Sequence, residues 1–459
     1  MNKGVNTADE DVAADMSALQ SPETVKKGSK SGDFMKWRKP DQSTPPAGAT
    51  PLRKMLNSQH SLYLLADAIN WQAFDDQFGP LYADGVGRPA LSTRLMVALH
   101  YIKHLYDLSD DLVLAGFLEN PYWQYFCGME YFQHSLPCDP TSLVKWRKRV
   151  GPSGIEQLLK ETIDAAKRHQ AMKAREVERV NVDTTVQEKA IAFPTDARLY
   201  QKARRALVRL SKEVGLKLRQ NYSRLGKKAF FSQSRYAAAQ QGQRARKQTR
   251  KLRTYLGRVL RNVERFIGPI KPKQAELVSR SRRIYEQKRD DKAKLYSLHA
   301  PEVECISKGK AHKRYEFGCK VAVVTTSKGG WVVGIDAISG NPYDGATLKP
   351  ALKQVEKLTG AKPKEAFVDK GYRGSEHHPE GVEVYISGRK KLSRRLSKLL
   401  KRRAAIEPVI GHCKHDHGLE RNHLLGTVGD RINAMLSGCA WNLKNLMRVL
   451  VERVSLANA

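Results

Sequence analysis

From about residue 57 the chain switches between two hydrophobic periods, and the switches outline its organisation. LSTRLMVALHYIKHLY sets Leu91, Leu95, Ala98 and Ile102 on one stripe at helical spacing, with Ser92 or Thr93 able to cap its start. A polar turn at 107–110 follows, and DLSDDLVLAGFL restarts a helix. A third is signalled at DPTSLVKWRKRVG, where Asp139 is a natural N-cap and Pro140 suits the first helical position. Its later turns carry Lys145, Arg147, Lys148 and Arg149. Residues 154–175 predict one more amphipathic helix. Short helices ending in a basic one suit a helix-turn-helix module or a helical bundle with a basic surface, and the pattern alone does not choose.

The period then changes. EVERVNVDTTVQ supplies the β-branched run of a buried strand. It is followed by helical spacing at Leu199, Ala203, Ala206, Leu210 and Val214, and again at Leu252, Leu256, Val259, Val263 and Ile267. These predict a pair of amphipathic helices joined through GKKAFFSQSRYAAAQQGQ. Strand patterns return in YEFGCKVAVVTTSKGGWVVGIDAISG, a hairpin turning at Ser327, Lys328, Gly329 and Gly330. A helix at 347–359, the strand EAFVDKGY, the short strand VEVYIS and helices at 391–416 and 430–456 complete the chain. Strand, helical excursion, hairpin, helix, strand and closing helices describe an α/β sheet interrupted early by a large insertion. The expected division is a disordered tail at 1–55, a helical domain at 56–152, the start of an α/β domain at 153–197, the insertion at 198–300 and the rest of the α/β domain at 301–459.

Charge sharpens this outline. Lys and Arg total 81 against 47 Asp and Glu, a formal surplus of +34 that favours a polyanionic partner such as nucleic acid. The insertion holds 30 of these bases and 6 of the acids, so the surplus is concentrated in its helices. No apolar window approaches a membrane span, and MNKGVNTADEDVAADM lacks the apolar core of a secretion signal, which predicts a cytoplasmic protein with no membrane partner. Cys127, Cys138, Cys305, Cys319, Cys413 and Cys439 form no CxxC pair and read as reduced thiols.

Three acids stand out. Asp183 in VNVDTT and Asp369 in AFVDKGY each sit at or near the end of an apolar strand, where a carboxylate needs a partner and where α/β sheets place active sites. Each could equally mark a strand-ending turn. In KRRAAIEPVIGHCKHDHG, steps of four and seven residues bring Arg403, Glu407 and Lys414 to within about 40 degrees of one helical face. Pro408 requires that helix to kink or to begin there. A solvated charged face is the alternative. Cys413, His415 and His417 alternate closely, but without the spacing of a structural zinc site. Asp344 in GNPYDG reads as turn chemistry and stays outside the acidic set, although an acid so placed could lie near it.

The segments NVDTTVQEKAIAFPTD, EAFVDKGYRG and RRAAIEPVIGHCKHDHGLERNHLLG closely resemble the catalytic blocks of bacterial insertion-sequence DDE transposases of the IS-five-like and IS-four-like kind. The third block of that family runs Tyr, two residues, Arg, three residues, Glu, six residues, Lys. Arg403, Glu407 and Lys414 fit it, and Leu400 stands in the tyrosine position. GRPALSTRLMVALHYIKHLYDLSDDLVLAGFLENPYWQYFCG and DPTSLVKWRKRVG resemble the family's helical N-terminal domain. The resemblance implies an RNase H-like core, preceded by a helical DNA-binding domain, in which Asp183, Asp369 and Glu407 hold two Mg²⁺ ions, with Mn²⁺ as a substitute. It implies double-stranded DNA as partner, both element ends and target, and a homodimer in the synaptic complex, associated with the nucleoid. Arg403, Lys414, Lys145, Arg147, Lys148 and Arg149 would contact that DNA.

Overall fold

The computed structural model describes residues 49–82, 90–266, 271–307, 314–388 and 393–458. The tail expected at 1–55 lies outside the described residues up to residue 48. Its last part forms helix α1 (Leu52–Met55), whose Leu52 is fully buried. Then come α2 (Ser61–Ala68), α3 (Gln72–Phe78), α4 (Thr93–Leu105), α5 (Asp110–Glu119), α6 (Pro121–Phe126) and α7 (Pro140–Arg168). Side-chain caps set several starts: Ser92 accepts from the Leu95 amide at 3.4 Å, Ser109 from Leu112 at 3.1 Å and Asp139 from Thr141 at 2.8 Å. Within α7, Gly151 has φ 63°, a left-handed conformation suited to glycine, and Pro152 follows it. The basic stretch and the amphipathic stretch are therefore two helical pieces meeting at a break, and the second ends at Arg168, short of residue 175.

The sheet begins with β1 (Arg179–Lys189) and resumes after the insertion with β2 (Glu304–Ile306), β3 (Glu316–Thr326), β4 (Val332–Ile338), β5 (Glu365–Val368), β6 (Glu383–Ile386) and β7 (Arg421–Asn422). Its order is β2-β3-β1-β5-β6, with β4 also on β3 and β7 also on β1. β1 pairs antiparallel with β3 and parallel with β5, so the fold is mixed α/β. β5 reaches only residues 179–181 of β1, and β7 takes up residues 188–189 on it.

β1 is longer than its apolar run suggests, which puts Asp183 inside the strand and not at its end. The polar residues after Asp183 look like the close of a strand, yet Thr184, Thr185, Gln187 and Lys189 are buried. Gln187 donates to the Asp430 carbonyl at 3.1 Å, and Lys189 pairs with Glu302 and Asp430 at 2.8 Å each. Internal partners replace water along this half of the strand.

The excursion between β1 and β2 contains α8 (Asp196–Glu213), α9 (Ser223–Ala238), α10 (Gly242–Glu264) and α11 (Pro272–Glu286). It has its own core, in which Leu199, Ala203, Leu207 and Leu210 meet Leu252, Leu256, Val259 and Ile284. The segment expected to link two helices is largely the helix α9. Only Gly226 and Ala229 of α9 are buried, too few to write a helical stripe into the sequence.

The remaining helices are α12 (Leu348–Thr359), α13 (Arg394–Arg402), α14 (Ile406–Asp416) and α15 (Gly426–Ala457). Between α13 and α14 a 3₁₀ turn spans Arg403–Ala405, so the helix expected at 391–416 is broken before Glu407. α15 packs against α2, α4 and α7 on one side and β4 on the other. The N-terminal helices and the sheet thereby share one continuous hydrophobic core. Among the described residues no helix is long and apolar enough to cross a membrane.

Candidate active site

β1 and β5 run parallel, and their last paired residues are Asn181 and Phe367; Asp183 lies two residues further along β1, and Asp369 two residues beyond Phe367, just past the end of β5. Asp369 follows the last residue of β5, and its Oδ1 accepts the Gly371 amide at 2.7 Å. Asp183 Oδ1 accepts the amide of Thr184 at 2.7 Å. Helix α14 supplies the third acid. It begins beside Glu407, which leaves Pro408 in the first turn, where no helical donor is required. Arg402 anchors the approach to this helix by donating to the carbonyls of Ser327 and Lys328 at 2.6 and 2.7 Å, tying it to the turn between β3 and β4.

Arg403 joins two of the acids, meeting Asp183 Oδ2 at 3.3 Å and Glu407 Oε1 at 3.1 Å. The Glu407 side chain is 62 % exposed against 19 % for Asp183, so it reaches Arg403 from the solvent side and can rotate. As they stand, no three acidic, histidine or cysteine side chains among the described residues converge closely enough to hold an ion. The donor chemistry nonetheless fits a divalent cation, since three carboxylates are hard oxygen ligands. Two further features fit it. A Cβ on Gly371 would lie 3.0 Å from an oxygen of Asp369 and 3.0 Å from one of Asp344, so only the absence of a side chain keeps the space between these acids open. The buried Tyr372 hydroxyl lies beside the Thr347 hydroxyl, which donates to the Asp344 carbonyl at 2.7 Å, and in the field of three carboxylates. Burial, then the charges of Asp183, Asp344 and Asp369, hold this phenol well above its ordinary pKa.

Asp344 is the acid that sequence reasoning left aside. Its signal was the position after GNPY and just ahead of α12, which is indistinguishable from a turn until the fold is known.

The expected cations divide. Lys414 lies on α14 beyond Glu407 and, with Lys148, lines a cleft of about 780 Å³ between the N-terminal helices and the α14–α15 region. Lys145 and Arg149 line a separate cavity of about 360 Å³, where Arg149 stacks on Tyr82 at 4.8 Å. Arg147 differs from its neighbours. It lies at the wall of the same cleft as Lys148, but it is 4 % exposed and grips Asp110 with two bonds of 2.9 and 2.6 Å, so its guanidinium is taken up by that acid. Burial would raise the Asp110 carboxyl, but Arg147 and Lys103 prevail and hold it well below the usual range. Cys413, His415 and His417 diverge: Cys413 is buried with its thiol pushed up to about 12 by burial, His417 bonds the His104 carbonyl at 3.1 Å, and His415 is exposed.

Two family models match the chain. Residues 50–149 match the family described as a transposase domain (DUF772), and residues 279–443 match the transposase DDE domain. The chain belongs to the insertion-sequence DDE transposases. The second match includes Asp369, Arg403, Glu407 and Lys414, whereas Asp183 lies between the two matched stretches. An uncharacterized protein of Rhizobium meliloti, ORF8 in the nfe locus, is 53% identical over 190 residues, which make up 41% of this transposase and 91% of that relative. No solved structure matches. As a member of this family the transposase is an enzyme that cuts DNA and transfers strands, using divalent metal.

Proposed function

We propose that this transposase binds the terminal inverted repeats of its own element, hydrolyses phosphodiester bonds at the two ends and joins the freed 3′ hydroxyls to target DNA at Asp183, Asp369 and Glu407. The observation that carries this reading is the arrangement around Arg403: two acids joined by one guanidinium, with the third acid just past the end of β5, the strand that pairs parallel with β1. Asp183, Asp369 and Glu407 would hold Mg²⁺, for which Mn²⁺ can substitute. When bound, a pair of such ions activates the attacking oxygen and stabilises the leaving one.

The chain's own groups do the rest. The amides of Thr184 and Gly371 each fix one oxygen of an aspartate, and Arg403 holds the other oxygen of Asp183. Arg403 balances the acids before loading; once cations take over that balance, its fork is suited to a phosphate beside the scissile bond. Lys414 and Lys148 on the cleft walls would meet the backbone on either side, with Lys145 and Arg149 further along the N-terminal helices. The basic helices α8 to α11 would bind DNA through phosphates. Joining two ends to one target calls for two copies, so a homodimer is the working assembly, in the cytoplasm on the nucleoid. The spacing of Arg403, Glu407 and Lys414 favours the IS-five-like and IS-four-like group.

Glu407→Gln tests the assignment. It keeps size and removes the charge that hard cations require. With a labelled element end in Mg²⁺, cleavage and strand transfer should fall together by at least about a hundredfold, consistent with loss of metal catalysis. End binding in chelator should persist. Robust nicking by Glu407→Gln in Mg²⁺, or by the native chain in chelator, sinks the reading.

A further inference from the structure

Asp344 lies beside the three acids and is held by two side chains of the sheet. Its Oδ1 accepts from the Thr184 hydroxyl at 2.9 Å and from Lys320 Nζ at 2.8 Å. Both partners come from the centre of the sheet: Thr184 follows Asp183 on β1, and Lys320 sits across from Val186 on β3. Lys320 is itself nearly buried, and its ammonium also donates to the Pro342 carbonyl at 2.5 Å, which ties down the loop that delivers Asp344. One oxygen of Asp344 is thus fixed. The other faces Gly371, the residue whose amide holds Asp369.

We propose that Asp344 is a positioning residue of the DDE centre: clamped by Thr184 and Lys320, it sets its second carboxylate oxygen against Gly371, and so fixes Asp369 and raises the negative potential that draws divalent metal. This rests on the reading of Asp183, Asp369 and Glu407 given above. Two like charges flank a residue with no side chain, so Asp369 cannot swing back over Gly371 without approaching Asp344, and the remaining direction is outward, toward Asp183 on the neighbouring strand. Lys320 balances the formal charge but sits on Oδ1, so the oxygen facing Gly371 is the negative end of the pair. It serves as the clamp, and without Asp344 it would be a buried cation lacking its acidic partner. Groups that orient metal ligands from behind commonly govern metal affinity by about ten- to a hundredfold.

The test uses the full chain without DNA and measures Mn²⁺ binding by calorimetry, alongside the Mg²⁺ dependence of end cleavage. Asp344→Asn keeps the shape and an oxygen for Thr184 but removes the charge. The Mn²⁺ dissociation constant and the Mg²⁺ concentration giving half-maximal cleavage should both rise about tenfold, while end binding in chelator stays at the native level. Asp344→Asn with Lys320→Met removes both charges and the buried orphan cation; the weakened metal binding should remain. Native metal affinity in Asp344→Asn, or its return in the double variant, overturns the proposal, the latter by showing that Asp344 serves only to neutralise Lys320. Should Asp344→Asn melt far below the native chain, Thr184→Val loosens the clamp without altering charge, and unchanged Mn²⁺ affinity there overturns the proposal equally. Asp369→Asn separates this idea from its foundation. If that variant loses metal and Asp344→Asn does not, only the role of Asp344 fails; if Asp369→Asn binds Mn²⁺ normally, the DDE reading fails and this inference with it.

Discussion

Adjacent basic side chains on α7 have opposite fates, and position on the helix decides which. Arg147 is buried against Asp110 at the wall of the cleft, and Lys103 completes the cluster at 2.6 Å, whereas Lys148 one residue later is exposed on the same cleft, which Lys414 also lines. A charge pair taken this far from water contributes little net stability, yet removing one member strands the other. Arg147→Ala should therefore lower unfolding free energy by about 3 kcal/mol, read as a fall in the urea midpoint, through the loss of both packing and charge. Lys148→Ala should leave the midpoint within about 0.5 kcal/mol and instead reduce the slope of log affinity for DNA against log salt by about one. The reverse pattern, with Arg147 governing the salt slope and Lys148 the stability, would show that the inward placement of Arg147 does not persist in solution. Arg403 combines both behaviours, since its partners are Asp183 and Glu407, the acids proposed to hold metal.

Elements with a strong apolar period were legible in the sequence, and those stabilised by polar interior contacts were not. α4, the β3–β4 hairpin, α12 and β5 fall where their patterns put them, because most of their buried residues are apolar. The last two residues of β1 lie beyond the run EVERVNVDTTVQ, because Lys189 finds buried partners on α15 and beside β2, contacts separated from it by more than a hundred residues. β2 and β7 are too short to carry a period. Within the site the same division holds. Asp369, Glu407 and Arg403 stand in contiguous stretches that spacing can interpret, while Asp344 gains its meaning from Thr184 and Lys320, which only strand pairing brings to it. α9 shows the limit for helices: with two buried residues, it is held mainly through its packing on α10. That thin attachment leaves most of its surface, and the bases on it, facing outward, as Arg224, Lys227 and Lys228 do. Excising residues 200–295 should accordingly flatten the salt dependence of DNA binding by several units of slope while leaving the mixed sheet intact by circular dichroism. An unchanged slope would mean that these helices face something other than DNA.

At the scale of the whole molecule the partition of apolar contacts differs from the order of the chain. Leu62, Leu99, Ile102 and Leu158 from the N-terminal helices join Val182, Val323 and Ile335 of the sheet in one core, and α15 runs through it with Met435, Leu436, Cys439 and Leu443 fully buried. The insertion keeps a separate core. Cooperative unfolding follows shared burial, because exposing one part of a continuous core removes the contacts that stabilise the rest. The helices that precede β1 and the sheet should therefore melt together although they are far apart in sequence, and α8 to α11 should melt as a second unit. Scanning calorimetry of the native chain should resolve two transitions. The variant lacking residues 200–295 should lose one of them and keep the other with its enthalpy nearly unchanged. Leu436→Ala, in the middle of α15, should then lower the surviving transition and leave the insertion's own transition where it was, since a buried leucine cut to alanine costs about 2–5 kcal/mol only in the core that contained it. Hydrogen exchange gives an independent check, because protection in α4 and β3 should fall in parallel in Leu436→Ala while protection in α10 holds. Separate transitions for the N-terminal helices and the sheet, or a drop in α10 protection, would show that the cores are divided differently from the packing described here.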